Sequence, residues 1–273
     1  MNRDRLPVFD RRRAGVLLPM SALEAALGRG GRDCIDWLAA AGFSVWQILP
    51  AGPVGADASP YWVRSDCAGN PAFLDAAELP DPQAPIGADF LAVSSCWLED
   101  YALFEALTRT HGGTPFWRWP EPLRDREPQA LAQARRALGA EVERIEREQY
   151  AFWVQWQRLR DYAHGRGVRL FGDLPFYVGP SSVETWAHRE LFQLAPGGEP
   201  AKVGGVPPDY FSELGQLWGN PVYDWPALQR SDSRAAASPR PRRQRTKLRR
   251  TRRSWSAPAA PSRTATSRCR RSP

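Results

Sequence analysis

Aromatic rings and amides suited to a polar, flat ligand are concentrated near the end of the acidic part of the chain. The run at 206–221 combines turn-forming prolines and glycines with Tyr210, Trp218 and Asn220. This composition is typical of a loop that presents rings and amides to a bound molecule. Trp218 and Asn220 are therefore predicted to bind substrate.

A second group of such side chains follows the second apolar run of the sequence. Ser59, Pro60, Tyr61 and Trp62 stand in a segment rich in glycine, proline and aspartate. Aromatic rings offer an apolar face to the C–H side of a pyranose, and hydroxyl groups bond its hydroxyls. Ser59 and Tyr61 are predicted substrate-binding residues, with the alternative that these rings only fix a loop.

One carboxylate stands at the end of a third apolar run. Asp173 precedes Leu174 and Pro175, and binding sites of parallel α/β folds form at the carboxyl ends of the strands. The alternative is an aspartate that caps a turn. Retaining glycoside chemistry also needs two carboxyl groups about 5–5.5 Å apart, and the spacing of Asp209, Glu213 and Asp224 selects no such pair.

The elements that would position these residues alternate between strand and helix. Apolar runs at 14–18, 44–50 and 168–178 predict strands, the first two fully buried, and helical spacing between 23 and 39 stops at Gly42. Such alternation predicts a parallel sheet with right-handed crossovers. It fits both a doubly wound sheet and the first part of a (β/α)8 barrel.

Two further helical features are predicted. The charged, Ala-rich stretch at about 97–167 indicates a helical insertion between the second and third strands. Ser181 stands three residues before Glu184, the spacing of a capping box at a helix start.

Charge divides the chain near residue 230. The total is +7, yet 14 of the 37 basic residues and one acidic residue lie at 231–273. That tail consists mainly of Arg, Ser, Ala, Pro and Thr, a composition that cannot offset the ordering entropy of about 1–2 kcal/mol per residue. We predict a disordered tail at 231–273, of the composition that a shifted reading frame produces, and an ordered part at 1–230.

Several classes of site find no support in the sequence. No G-x-G-x-x-G motif follows the first two strands, and His111, His164 and His188 lack metal-ligand spacing. The four cysteines form no CxxC pair, which favours a reduced cytoplasmic protein. We predict no metal, no cofactor, no membrane span, no specific nucleic acid and no particular oligomeric state.

The motifs occur together in a recognisable order: RAGVLL at 13–18, WQILP at 46–50, SPY at 59–61, AGNP at 68–71, GDLPFYV at 172–178, the run at 206–221, and YDW at 223–225. This order closely resembles the amylomaltase family of 4-α-glucanotransferases. The resemblance implies a (β/α)8 TIM barrel of the α-amylase superfamily type, of which 1–230 would be an incomplete amino-terminal portion. It also implies cofactor-free, retaining transfer of segments between maltooligosaccharides or other α-1,4-glucans.

By the same resemblance, Asp173 would contact the sugar at the cleavage point, and Tyr61, Trp218 and Asn220 would line the groove. The family's nucleophile and acid/base carboxylates would lie beyond residue 230, where 231–273 holds only Asp232 as an acid. We therefore predict no catalytic residue in this chain and no activity by itself. The alternatives are a non-catalytic maltooligosaccharide-binding fragment and a nucleic-acid binder that uses the basic tail.

Overall fold

A three-stranded parallel sheet organises the α/β chain in the computed structural model, which describes residues 12–55 and 57–236. Its strands are β1 (Gly15–Leu17), β2 (Val45–Gln47) and β3 (Arg169–Phe171), in the order β1-β2-β3. Both pairings are parallel. The predicted parallel α/β arrangement is confirmed.

The remaining elements are helices and one hairpin. The helices are α1 (Arg29–Ala40), α2 (Ala88–Ser94), α3 (Leu98–Thr110), α4 (Glu121–Arg124), α5 (Pro128–Ala137), α6 (Gly139–Gly165), α7 (Val183–Ala187) and α8 (Trp225–Ala236), and the hairpin strands are β4 (Val203–Val206) and β5 (Gln216–Pro221).

Only one face of the sheet is covered within the described residues. Val16, Trp46 and Leu170 are register partners on the face that packs against α1 and α6. On the opposite face Leu17 is 53% exposed and Phe171 is 47% exposed. The prediction that the first strand is fully buried is therefore wrong, because alternate side chains of a strand point to opposite faces.

Helix α1 begins later than the helical spacing from residue 23 predicts. Ala25 has a left-handed φ of 48°, which interrupts the helix, and Gly28 is the N-cap residue. The Asp75 carboxylate accepts the Arg29 amide at 3.0 Å, so a distant residue supplies the cap. The amides of Arg29 and Ala77 hold the pKa of Asp75 below its usual value. The predicted stop at Gly42 is confirmed by its φ of +80°.

The helical insertion joins two apolar clusters. It begins with α2 at Ala88, before the predicted start at 97, and α6 completes the crossover from β2 to β3. Ile145 of α6 packs with Phe104 and Trp186, while Leu159 of the same helix packs beneath the sheet. One long helix thus connects the sheet core to the aromatic core of the insertion.

Two local predictions differ from the structure by register or by type. The capping box at α7 is formed by Ser182 and Thr185, so the predicted Ser181–Glu184 box is off by one residue. The segment predicted as a loop at 206–221 contains the last residue of β4, the hairpin turn and the whole of β5, which pairs antiparallel with β4. Its first strand reads VGGV, and glycines conceal a strand from propensity.

Beyond the hairpin, α8 continues through Ala236, past the predicted boundary at residue 230. The chain divides into two units between Arg230 and Ser231. Residues 237–273, which carry most of the predicted disordered tail, lie outside the described residues.

Candidate functional site

The loops after β2 and β3 bring two of the predicted binding residues into contact. The Tyr61 hydroxyl donates to Asp173 Oδ2 at 2.9 Å, and the Leu174 amide donates to Asp173 Oδ1 at 2.8 Å. Both residues lie at the carboxyl-end edge of the sheet. The hydrogen bond to Asp173, with a smaller effect of burial, raises the pKa of Tyr61, which keeps the phenol a neutral donor.

Ser59 shapes the turn that carries Tyr61. Its hydroxyl accepts the Tyr61 amide at 3.3 Å, and its own amide donates to Asp57 Oδ1 at 3.3 Å. Bonds of this kind are typical of Asx and Ser/Thr turns. Ser59 therefore lies beside the Tyr61–Asp173 pair and supports its loop.

An aromatic wall forms where the hairpin meets the loops of the sheet. We give this name to Trp62, Tyr177, Trp218 and Tyr223. The rings of Tyr177 and Trp218 are 6.4 Å apart, and those of Tyr177 and Tyr223 are stacked at 6.2 Å. Trp218 remains 41% exposed, so its ring is available to a ligand.

Close packing holds the hairpin against this wall. Gly219 has a φ of +77°, and a Cβ placed there would lie 3.0 Å from the Trp62 ring. Asn220 is 5% exposed and donates from Nδ2 to the Val178 carbonyl at 2.9 Å. The structure thus places Asn220 beneath the wall, while Trp218 is at its surface.

A cavity of about 240 Å³ adjoins Asp173 on the side of the helical insertion. Its walls are the loop segments 51–52, 65–69 and 173–175, one glutamine and five aromatic residues of the insertion: Phe90, Trp97, Gln149, Phe152, Trp153 and Trp156. No sequence pattern assigned these rings, Tyr177 or Tyr223 to the site, whereas Trp62 is one of the rings predicted above to face a sugar. The rings of the insertion have the helical spacing of ordinary core residues, so no local signal distinguished them.

Side chains from three helices hold the loop at 64–69, and two of them, Glu105 and Gln149, are buried. Gln149 of α6 bonds both the amide and the carbonyl of Gly69, at 2.8 and 2.9 Å. Glu105 of α3 pairs with Arg64 at 2.9 Å. Glu184 of α7 accepts the Ser65 hydroxyl and the Asp66 amide at 3.0 and 2.8 Å.

Two other candidate carboxylates of the sequence analysis serve local structure. Asp209 accepts the amides of Phe211 and Ser212 at 2.9 and 2.8 Å, within the hairpin turn. Asp224 accepts the Ala227 amide at 2.9 Å at the start of α8. These bonds are those of turn and helix caps.

One cluster of potential metal donors lies beside the cavity. Asp66, Cys67 and Glu184 each place a donor atom within 4.8 Å of the others. Cys67 Sγ donates to Asp66 Oδ1 at 3.1 Å, and Glu184 Oε1 is occupied by Ser65 and Asp66. Protein hydrogen bonds account for these orientations, and we assign no metal ligand here.

None of the helices within 12–55 and 57–236 has the length and apolar character needed to cross a membrane.

Comparisons with known proteins identify relatives of one kind. A family model described as 4-alpha-glucanotransferase matches residues 19–88 and 81–235. A 4-alpha-glucanotransferase of Thermus thermophilus is 42% identical over 246 residues, which cover 75% of this chain and 49% of the relative. A chloroplastic/amyloplastic 4-alpha-glucanotransferase of Arabidopsis thaliana is 36% identical, covering 82% of this chain and 48% of the relative.

A solved structure gives the same relationship. The amylomaltase from Streptococcus agalactiae in complex with acarbose matches with a TM-score of 0.71 and 31% identity, over 81% of this chain and 55% of that one. The chain thus spans about half the length of the relatives that it matches.

Proposed function

Because this chain belongs to the 4-α-glucanotransferase family, we propose that its described part forms the glucan-binding side of a retaining α-1,4-glucan transfer site. The observation that carries this proposal is the Tyr61–Asp173 pair beside an exposed tryptophan and a ring-lined cavity. The substrates would be maltooligosaccharides or other α-1,4-glucans.

We propose that the scaffold is an incomplete (β/α)8 barrel of the α-amylase superfamily type. The support is a sheet of three parallel strands whose apolar second face carries Leu17 and Phe171 in exposed positions. In a closed barrel such side chains fill the interior. The boundaries of the barrel portion at 1–230 and of its insertion at about 97–167 remain predictions.

Asp173 would accept sugar hydroxyls. An ionised carboxylate has about four lone-pair positions, and Tyr61 and Leu174 use one on each oxygen. The remaining positions suit hydroxyls of the glucosyl residue at the cleavage point. Tyr61 would keep the carboxylate in this orientation, and Ser59 would hold the turn of Tyr61.

Trp218 and Tyr177 would stack on the apolar faces of glucosyl rings, as aromatic side chains do with amphipathic partners. Asn220 would not contact the sugar. Its hydrogen bond to the Val178 carbonyl would fix the position of β5 and therefore of Trp218. A cytoplasmic location is also proposed, since Cys34, Cys67 and Cys96 are all free thiols.

The bond-breaking carboxylates would come from beyond residue 230, as the family resemblance implies. Asp209 and Asp224 are engaged in turn and helix caps, and Asp173 would orient sugar. We expect this chain, incubated with maltotriose, to yield neither longer nor shorter glucans on chromatography. Formation of maltopentaose and glucose would contradict the proposal that the chain is inactive by itself.

Sugar binding tests the proposal directly. We expect saturable maltotetraose binding by calorimetry, weakened about two- to tenfold in Trp218→Ala because an aromatic stack is worth roughly 0.5–1.5 kcal/mol. The matched control is Trp37→Ala on α1, a tryptophan that is also exposed, at 59%. Equal affinities of the two variants, or no binding by the unmodified chain, would refute the assigned groove.

A further inference from the structure

The loop that carries Tyr61 depends on one side chain of a neighbouring helix. Glu184 Oε1 accepts the Ser65 hydroxyl and the Asp66 amide. The Ser65 oxygen in turn accepts the amides of Cys67 and Ala68 at 3.1 and 3.2 Å. One carboxylate oxygen therefore organises four consecutive residues of the cavity wall.

The second oxygen of Glu184 is buried beside another carboxyl group. Glu184 Oε2 is inaccessible to water, and no hydrogen-bond partner for it lies among the described residues. The Asp66 carboxyl lies within 4.8 Å of the Glu184 carboxyl. Two ionised carboxylates repel each other, and the side-chain hydrogen bond between Glu184 and Asp66 therefore requires a proton on one of them.

We propose that Glu184 and Asp66 share one proton and that Glu184 is thereby a positioning residue, which locks the 65–68 turn and keeps Tyr61 on Asp173. The effect on sugar binding rests on the proposed function, whereas the protonation state and the rigidity of the turn do not. Two backbone hydrogen bonds connect the segment between Tyr61 and the 65–68 turn to the residues that precede Glu184. The Val63 carbonyl accepts the Gly179 amide, and the Arg64 carbonyl accepts the Val183 amide next to Glu184.

The electrostatic surroundings favour the shared proton. Burial, followed by the negative charge of Asp66, raises the pKa of Glu184 well above its usual value. Two neutral groups face the pair: Cys67 Sγ donates to Asp66, and Tyr223 donates to the Phe176 carbonyl. Arg64 is paired with Glu105. Burial, with Asp66 and Glu184 as further causes, also raises the pKa of Tyr223, so the phenol stays neutral.

The sign of the pH dependence follows. A glutamate whose pKa is raised by folding stabilises the fold fully below its unfolded pKa, and the contribution is lost as pH rises through the folded value. Above that value the pair carries two charges. The 65–68 turn should then loosen, and Tyr61 should leave Asp173.

Amide hydrogen exchange of the full chain between about pH 5 and pH 9, corrected for intrinsic rates, tests this inference. We expect the protection of the Cys67 and Ala68 amides to fall about tenfold or more as pH rises in the unmodified chain. Glu184→Gln should make the protection independent of pH, because the amide donates permanently. The matched control, Glu190→Gln, changes an exposed glutamate just after α7 and should behave like the unmodified chain.

A carboxyl-carbon NMR titration of the unmodified chain tests for the shared proton even if Glu184→Gln fails to fold. A Glu184 carbon that titrates far above the ordinary value of about 4.3 supports the shared proton. An ordinary titration, or a Glu184→Gln variant with the same pH-dependent loss of protection, would overturn it. Absence of maltotetraose binding would refute the proposed function and leave this result unaffected.

Discussion

Arg64→Ala is expected to lower the free energy of unfolding by about 3–5 kcal/mol, because it leaves a buried carboxylate without its partner. Arg64 approaches Glu105 Oε2 at 2.9 Å, and the Glu105 side chain is only 1% exposed. Burial raises the pKa of Glu105, and Arg64 acts in the opposite direction. Removing the guanidinium removes the main compensation for burying this charge. Urea unfolding near neutral pH measures the loss.

Acidic pH and a second substitution should reduce the loss. Without Arg64, the pKa of Glu105 rises further above its value in the unfolded chain. At acidic pH the buried Glu105 is neutral and the loss of stability is small. The loss grows as pH increases, because a charge must then be buried without a partner. Adding Glu105→Gln to Arg64→Ala removes the unpaired charge and should recover part of the stability. Arg32→Ala is the control, since the Arg32–Glu78 pair is partly exposed on both sides and is worth about 0–1 kcal/mol. Similar losses in Arg64→Ala and Arg32→Ala would show that burial of Glu105 is not decisive.

Gln149→Leu is expected to cost about 1–3 kcal/mol for each of the two backbone groups that it leaves unpaired. The Gln149 amide bonds the N–H and the C=O of Gly69, in the way a neighbouring strand would. Gly69 also lies tight against α6, because a Cβ placed there would lie 2.3 Å from the Phe152 ring. Thermal and urea unfolding should both show the loss.

Gln157→Leu makes the same substitution on the same helix and serves as the control. Gln157 Oε1 is buried without a hydrogen-bond partner among the described residues, so its replacement by an apolar group should be nearly neutral or stabilising. An equal loss in both variants would mean that α6 tolerates leucine poorly. It would exclude a special role for the Gly69 contacts.

These contacts assign the helical insertion a structural role in the proposed site. The loop at 64–69 has little regular structure of its own, and Glu105, Gln149 and Glu184 anchor it from α3, α6 and α7. The cavity beside Asp173 is walled by the same loop and by rings of the insertion. The insertion, together with α7, thus holds the loop at 64–69, and it supplies one side of the proposed glucan site.

The sequence by itself determined the parallel α/β arrangement and the family. Strand and helix periods are local, so the runs at 14–18, 44–50 and 168–178 indicated the sheet without tertiary information. Asp173 follows the third run, and its assignment to a site followed from the rule that sites lie at the carboxyl ends of strands. The glycines of the VGGV strand concealed the hairpin, since a strand without side chains has no periodicity to read.

Only the tertiary structure decided which side chains meet. Tyr61 and Asp173 are 112 residues apart, Glu184 and Ser65 are 119 apart, and Gln149 and Gly69 are 80 apart. Pairings over such separations depend on how the elements pack, and no local pattern encodes them. Burial is equally non-local: Trp218 and Asn220 were both predicted to bind substrate, yet packing left the tryptophan at the surface and enclosed the amide, which donates to the Val178 carbonyl.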